Sequence, residues 1–364
     1  MNVCFLLGGF SGNGGIGRVT SILSNSLCRD KKYEIYTLSY FNNQKENLYD
    51  LDKKIRQDYL FDNPLNMTKG ILKGGIIKLR SYLKKHKIDV LIACGALFYP
   101  ISVISCIGIK TKCICWEHSN VQNSKDHSFQ LLSRWFGAKN ADLVVTLTKH
   151  DKESYLDKYN IINVEQIYNP IDEDVFGYTR QYNLNSQKLL SVGRLSYQKN
   201  FGMLIDIAKE ILSNNPNWTW DIYGEGELRE ELQSKINEYG LEDRLILKGQ
   251  VNNLYSLYSE YSMLIMTSRY EGFPMTLLEG MAHGLPLISF DVLTGPNEII
   301  ENGINGYLIK PFETEIMISR INTLISNQDT RLKMSNQGKF ICENYKLEVI
   351  IKHWKELISN ILKS

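Results

Sequence analysis

No low-complexity tract and no repeat of solenoid length occurs in the 364-residue sequence, which excludes arrays and solenoids. A disulfide framework is missing too. The seven cysteines (4, 28, 94, 106, 113, 115 and 342) are odd in number and scattered, mostly in apolar runs, as reduced core thiols are. Cys113 and Cys115 share one face of an expected strand, but no second Cys/His pair stands at ligand spacing, so zinc is not expected. Charge of one sign is nearly balanced: 42 Lys/Arg against 40 Asp/Glu give +2, and no nucleic-acid partner is expected. Met1–Phe10 has neither a basic n-region nor a small-residue cleavage site and reads as a buried strand, so a cytoplasmic protein is expected. Long uncharged runs are rare. The exception, Val90 to Ile109, has the length of a membrane span. It contains Gly95 and Pro100, however, and reads better as strand, loop and short buried helix.

What is present is the composition of a globular protein, with 43% apolar and 23% charged residues. Short apolar runs alternate with helical periodicity from end to end, the signature of parallel α/β architecture. Strands are expected at Asn2–Leu7, Glu34–Leu38, Val90–Ala93, Lys112–Trp116, Leu143–Leu147 and Val164–Ile167 in the first half. In the second half they are expected at Lys188–Val192, Thr219–Tyr223, Leu245–Lys248, Met263–Met266 and Leu287–Phe290. Asn169-Pro170-Ile171-Asp172 and the polar stretch from Tyr178 to Gln187 read as a linker. The expected fold is therefore two facing Rossmann-like, doubly wound domains, residues 1–172 and 173–345, with a terminal segment 346–364. Ligands of such sheets bind off the strands' carboxyl ends, which places the expected site in an interdomain cleft. Residues 1–172 hold 23 basic and 16 acidic side chains, an excess of +7. Lys69 to Lys87 contributes seven Lys/Arg and no acid, with Ile76, Ile77, Leu79 and Leu83 among them. This is either an amphipathic helix for an anionic membrane surface or a solvated helix whose stripe packs on its own sheet.

Gly12-Asn13-Gly14-Gly15-Ile16-Gly17 matches G-x-G-x-x-G between a strand and a helix. Such glycines let the backbone approach a diphosphate at a helix N-terminus. A nicotinamide site also needs an acid at the end of the second strand. Here that strand runs into Ser39-Tyr40-Phe41-Asn42, so a dehydrogenase is disfavoured. A phosphate-compatible loop or a plain turn both remain.

Three clusters in the second half reinforce one another. Gly193-Arg194-Leu195-Ser196-Tyr197-Gln198-Lys199-Asn200 follows a strand and puts a guanidinium and an ammonium in one loop, suited to phosphate oxygens. Tyr223-Gly224-Glu225-Gly226-Glu227 follows the next. In Ser268-Arg269-Tyr270-Glu271-Gly272-Phe273-Pro274-Met275-Thr276-Leu277-Leu278-Glu279, Pro274 fits a first helical turn, whose amides face outward. Glu279 shares a helix face with Met275 and Thr276, and a carboxylate there can accept both hydrogens of a ribose diol.

Gly193–Asn200 and the glutamate pair Glu271/Glu279 with its E-G-F-P block resemble the signature of family 4 glycosyltransferases, retaining enzymes of the two-domain GT-B architecture. The likeness covers nearly the whole chain. It implies that Arg194 and Lys199 hold the donor diphosphate and that Glu279 holds the ribose. It implies too that Glu271 and the stretch Gly272, Phe273, Pro274, Met275 and Thr276 meet the transferred sugar. Val251 would border the base, Gly15 would reach the phosphates, and the final helix, about Leu347 to Ile361, would cross back onto the first domain. In Trp116-Glu117-His118-Ser119-Asn120, His118 stands at a strand end, and the resemblance to capsule and exopolysaccharide enzymes gives it and Glu271 the catalytic roles. No metal or cofactor is expected, because cationic side chains and a helix N-terminus can stabilise the leaving diphosphate. Asp50/Asp52 and Asp172/Asp174 read as loop charges. The expected partners are a UDP-sugar, with a GDP-sugar possible, and a glycan or polyprenyl-diphosphate-linked acceptor. An epimerase of the same architecture and a non-catalytic sugar-nucleotide binder are the rival readings.

Overall fold

Buried, unbroken apolar strands build the core of each half, as they must when helices cover both faces of a parallel sheet. The computed structural model describes residues 1–10, 15–42, 49–64, 66–120, 128–179, 181–251 and 254–363. It comprises two compact units, Met1–Pro170 together with Leu347–Ser364, and Ile171–Lys346.

The first unit contains β1 (Asn2–Leu7), α1 (Gly15–Cys28), β2 (Glu34–Phe41), β3 (Arg56–Phe61), α2 (Met67–Leu72), α3 (Gly75–Lys85) and β4 (Val90–Cys94). It continues through α4 (Tyr99–Cys106), β5 (Lys112–Trp116), α5 (Ser128–Asn140), β6 (Leu143–Thr146), α6 (Lys149–Tyr159) and β7 (Val164–Gln166). Its sheet runs β3-β2-β1-β4-β5-β6-β7, all parallel. The winding direction reverses between β1 and β4. One face carries α2 to α6, each packed against the next, over a core of Leu6, Leu38, Leu91 and Cys115. The C-terminal helix, α14 (Leu347–Ile361), packs with α1, and Trp354 meets Trp116 edge-on at 5.0 Å.

The second unit contains α7 (Glu173–Tyr178), β8 (Lys188–Val192), α8 (Phe201–Asn214), β9 (Thr219–Tyr223), α9 (Arg229–Glu238), β10 (Leu245–Gly249), β11 (Met263–Met266) and α10 (Met275–Ala282). It ends with β12 (Leu287–Phe290), α11 (Pro296–Ile299), β13 (Gly306–Ile309), α12 (Thr314–Ser326) and α13 (Gln328–Ile341). Its parallel sheet runs β10-β9-β8-β11-β12-β13, reversing between β8 and β11.

Two strands were not anticipated. β3 reads Arg-Gln-Asp-Tyr-Leu-Phe and is an edge strand, so only Leu60 and Phe61 are buried. β13 spans four residues at the opposite kind of edge, after a tight turn. The stretch Val90–Ile109 forms β4, a 3₁₀ turn and α4, and no helix among the described residues is long and apolar enough to cross a membrane. The basic stretch Lys69–Lys87 is two helices broken at Gly74, which adopts φ +78°. Leu79 and Leu83 enter the core and Ile76 packs against it, while Ile77 is 73% exposed. The solvated-helix alternative thus describes most of its apolar stripe.

Candidate functional site

The crevice of a doubly wound sheet opens where the winding reverses. In the second unit this point lies between β8 and β11, so the loops after these strands, Gly193–Asn200 and Thr267–Pro274, are neighbours. They are laced together. The Arg269 amide donates to the Gln198 carbonyl (2.8 Å) and Gln198 Nε2 to the Tyr270 carbonyl (3.0 Å). Thr267 Oγ1 donates to the carbonyl of Lys199 (3.1 Å), just before α8 begins at a left-handed Asn200. Lys199 Nζ then meets Glu271 Oε1 at 2.6 Å, with side chains only 15% and 6% exposed. The Lys199 stem lies over Gly193, where a Cβ would approach it to 3.0 Å.

The backbone beyond Glu271 is equally constrained. Thr294 Oγ1, from the loop after β12, donates to the Glu271 carbonyl (2.6 Å). Next to it Gly295 adopts φ +96°, and a Cβ there would come within 2.6 Å of the Gly272 carbonyl and Pro274 Cδ. Pro274 caps α10 with an extended backbone, so the first amides of the helix, at Met275 and Thr276, lack intrahelical acceptors. The Oγ atoms of Ser268 and Thr276 are buried there with no partner among the described residues. Two such hydroxyls stand before and within the first turn of α10, whose N-terminus carries the positive end of a helix dipole. One turn on, Glu279 is 2% exposed and accepts a hydrogen bond from the Tyr258 hydroxyl at 2.7 Å. The Tyr258 ring stacks flat on His283, with centroids 5.0 Å apart and planes 7° from parallel. Burial, helped by the charge of Lys339, pushes His283 down to about 4.

Arg194 stands apart from this lacing. Its side chain is 74% exposed and its nearest carboxylate is Glu227, at 3.5 Å. Glu225 pairs with Arg229 at 2.9 Å, which accounts for it as a loop-to-helix tie. Val251 lies two residues past β10 and is half-buried. Asp172 caps α7, accepting from the Asp174 amide (3.1 Å) and from Tyr255 (3.1 Å), so that acidic pair serves a helix end. Sequence reasoning missed Tyr258, Gln198, Thr267 and Thr294. Gln198 lies inside the first cluster but was given no role there; the other three lie in no motif, and only the fold brings them beside one.

In the first unit the reversal lies between β1 and β4. Gly15 opens α1 after β1, and a Cβ on it would meet nothing within 4 Å. Residues 11–14 of the glycine loop, with its Gly12 and Gly14, lie outside the described residues. His118 follows β5, half-buried, its ring 4.1 Å from that of Trp116. Its Nε2 is buried with no partner among the described residues. Burial pushes its pKa down to about 3, against the opposing pull of Glu117, and the imidazole is neutral at pH 7. Glu117 itself is sealed. Arg134 Nε reaches its Oε2 at 2.8 Å, Tyr155 donates to Oε2 at 2.9 Å, and Ser119 Oγ donates to Oε1 at 2.9 Å. Burial alone would raise this carboxyl, but Arg134 and the hydrogen bonds outweigh it and hold it below its ordinary value. The loop bearing His118 is thereby pinned on both sides.

Two α/β units, each with a parallel sheet whose winding reverses once, define a doubly wound two-domain class. Comparison with known proteins narrows it. The family profile described as Glycosyltransferase Family 4 matches residues 13–175, and that described as Glycosyl transferases group 1 matches residues 179–340. The amylovoran biosynthesis glycosyltransferase AmsD of Erwinia amylovora is 31% identical over 363 residues, 97% of this chain and 98% of that protein. A Campylobacter jejuni enzyme, GalNAc-alpha-(1->4)-GalNAc-alpha-(1->3)-diNAcBac-PP-undecaprenol alpha-1,4-N-acetyl-D-galactosaminyltransferase, is 25% identical over 371 residues, 99% of each. Among solved structures, HepE of Anabaena in complex with UDP superposes with a TM-score of 0.83 at 18% identity, over 99% of this chain and 100% of that one. The chain belongs to the family 4 glycosyltransferases and has the GT-B fold.

Proposed function

We propose that the protein transfers a hexose or N-acetylhexosamine from a nucleoside-diphosphate sugar, UDP-linked in preference to GDP-linked, to a lipid-linked glycan during surface-polysaccharide synthesis. The observation that carries the reading is the Lys199–Glu271 pair at the switch point, beside the N-terminus of α10. Departure of a nucleoside diphosphate builds negative charge on its β-phosphate. Lys199, Arg194 and the first amides of α10 answer that charge by fixed electrostatics, with no metal assigned a role. Binding of the diphosphate draws Lys199 from Glu271, which leaves that carboxylate and the backbone from Gly272 to Thr276 to hold the sugar's hydroxyls. Glu279 accepts the ribose diol, and Val251 borders the base. In the first unit, Gly15 admits a phosphate close to the backbone, and neutral His118 hydrogen-bonds a sugar hydroxyl at the reacting centre. With no carboxylate assigned as a covalent nucleophile, the acceptor hydroxyl oxygen attacks the anomeric carbon on the face the diphosphate leaves. The bond to the phosphate oxygen breaks as the new one forms, the hydroxyl proton passes to the departing phosphate, and the configuration is retained.

The acceptor class is supported by the undecaprenol-linked name of the Campylobacter relative, the setting by the amylovoran relative and the nucleotide by the UDP held in HepE. This chemistry belongs at the cytoplasmic face of a membrane. The test is nucleotide release from a panel of UDP- and GDP-sugars, with and without membrane lipid extract. Release that needs lipid and one donor, and disappears in Arg194→Ala and Glu279→Ala, is expected, with the product's anomeric configuration retained. Isomerised donor without acceptor would make the protein an epimerase. Nucleotide binding with no turnover on any acceptor would make it a binding protein.

A further inference from the structure

Three loops of the second unit meet at one cation. Arg269, in the loop after β11, holds its guanidinium carbon 4.4 Å from the ring centre of Tyr197, after β8, and 5.8 Å from that of Phe312, after β13. Among the described residues no carboxylate forms an ion pair with it. Glu271, two residues on, is taken by Lys199, and neither Asp291 nor Glu313, the acids of the adjoining loops, pairs with it. Its Nε is buried with no partner among the described residues, which leaves the terminal N–H groups of the fork to face outward. Tyr197 and Phe312 are 51% and 48% exposed. Phe312 also holds a left-handed backbone, φ +69°. Of the four non-glycine residues with positive φ among the described residues, two are asparagines and Phe312 alone is aromatic. That conformation is costly for a bulky side chain and persists where the surroundings or a function demand it. An edge contact with Phe290, centroids 5.8 Å apart, anchors the ring.

We infer that Tyr197, Arg269 and Phe312 form a subsite for a sugar that carries a carboxylate. A planar carboxylate fits the outer edge of a guanidinium bidentately, and the aromatic rings beside it offer apolar surface to the C–H face of a pyranose. The backbone under the guanidinium is fixed beforehand. The Arg269 amide donates to the Gln198 carbonyl (2.8 Å), and Gln198 Nε2 donates to the Tyr270 carbonyl (3.0 Å). The strands of this sheet run β10-β9-β8-β11-β12-β13. On the proposed function, on which the placement within a substrate rests, the base lies at Val251 after β10 and the transferred sugar at the loop after β11. A subsite that extends to the β13 side lies beyond the sugar end of the nucleotide. The carboxylate therefore belongs either to the transferred sugar or to the acceptor sugar that receives it.

Ligand-observed NMR titrations of the full chain with glucuronate, glucose and acetate, each with and without saturating UDP, test the subsite. Glucuronate is expected to bind about tenfold more tightly than glucose or acetate, the worth of a charge-assisted hydrogen bond joined to ring contact, and to do so with UDP present. Arg269→Gln should remove the advantage over glucose. Phe312→Gly should weaken both sugars about threefold or more. Its unfolding midpoint should stay or rise, because glycine adopts φ +69° without strain. Equal binding of glucuronate and glucose overturns the proposal, as does acetate matching glucuronate, which would be a bare anion site. Displacement of glucuronate by UDP would put it on the diphosphate cations and overturns it too. Turnover then separates the two sources, with UDP-glucuronate against UDP-glucose as donor, and lipid acceptor before and after carbodiimide–borohydride reduction of its carboxylates to alcohols. A preference for the charged member that Arg269→Gln abolishes is expected in one arm. Its absence from both, in an enzyme that turns over, overturns the subsite's part in transfer. A chain that binds glucuronate through Arg269 but turns over no donor would sink the transferase reading and leave the subsite standing.

Discussion

Each unit holds an ion pair whose carboxylate stands just past a strand end, and the two pairs differ in what surrounds them. Glu117 and Arg134 are 1% and 0% exposed, and Ser119 and Tyr155 complete the hydrogen bonding of the carboxylate. Lys199 and Glu271 sit at a loop junction, 15% and 6% exposed, with two hydroxyls close along the chain that have no partner among the described residues. A fully ligated buried pair has nothing left to offer a substrate, and removing one member strands the other. A pair at the mouth of a crevice can exchange its ammonium for a ligand's phosphate. On the proposed function, the first pair should report on folding and the second on catalysis.

Breaking the pairs one at a time should separate these roles. The largest effect on stability is expected from Arg134→Ala, which leaves Glu117 buried and uncompensated. Denaturant unfolding should show a loss of about 3–5 kcal/mol, and a comparable loss at Lys199→Met would erase the distinction drawn here. Lys199→Met should instead reduce kcat/KM by about 10²–10³-fold, the scale of losing one preorganised charge partner, with little change in the unfolding midpoint. Tyr155→Phe sharpens the point. It removes a single hydrogen bond to a carboxylate, about 1.5–3 kcal/mol, and should lower stability while leaving the donor KM unchanged.

The legible part of this protein was whatever repeats or stands in a row. Strands such as Lys112–Trp116 and Thr219–Tyr223 announce themselves as apolar runs bounded by turns, and their bounds were read correctly. The positions of Lys199 and Glu271, in glycine-bearing loops after strands, and of Glu279, on the helix that follows, were legible in the sequence. Edge strand β3 was not, because a strand covered on few sides need not be apolar. Neither were Arg134 and Tyr155, which lie 17 and 38 residues from Glu117. The outward face of α5 was beyond the reach of pattern reading, which would have buried Leu131 and Trp135. Arg134, held inward by Glu117, puts Leu132 nearly opposite it and Trp135 on the flank.

A smaller effect tests Tyr258, which was equally invisible because it sits in a short 3₁₀ turn 21 residues from its partner. By donating to Glu279 it fixes the plane of the carboxylate proposed to hold the ribose. Tyr258→Phe should raise the KM for donor about tenfold, the worth of a hydrogen bond to a charged group, and leave kcat nearly unchanged. The penalty should vanish when binding of a 2′,3′-dideoxynucleotide is compared. An equal penalty for both nucleotides would make Tyr258 a packing residue.

A last comparison sets the two units side by side through their histidines. His118 in the first and His283 in the second are held down to about 3 and about 4, mainly by burial. In the unfolded chain both revert to about 6.5. Below that pH the unfolded state takes up protons that the folded state refuses, so the native state loses stability as pH falls. The loss runs at about 1.4 kcal/mol per pH unit for each fully refused proton, and ends once each folded histidine itself titrates. Glu117 does not contribute between pH 7 and 5, because its carboxyl is ionised there in both the folded and the unfolded chain; its depressed value costs stability only below the ordinary 4.5. Denaturant titrations at pH 7.0, 6.0 and 5.0 (about one proton step apart) should therefore show a slope that His118→Gln and His283→Gln each reduce. If His118→Gln leaves the slope intact, His118 is solvated enough to protonate in place. It would then enter the reaction as a cation below neutrality, and activity, rather than stability, would carry its pH dependence.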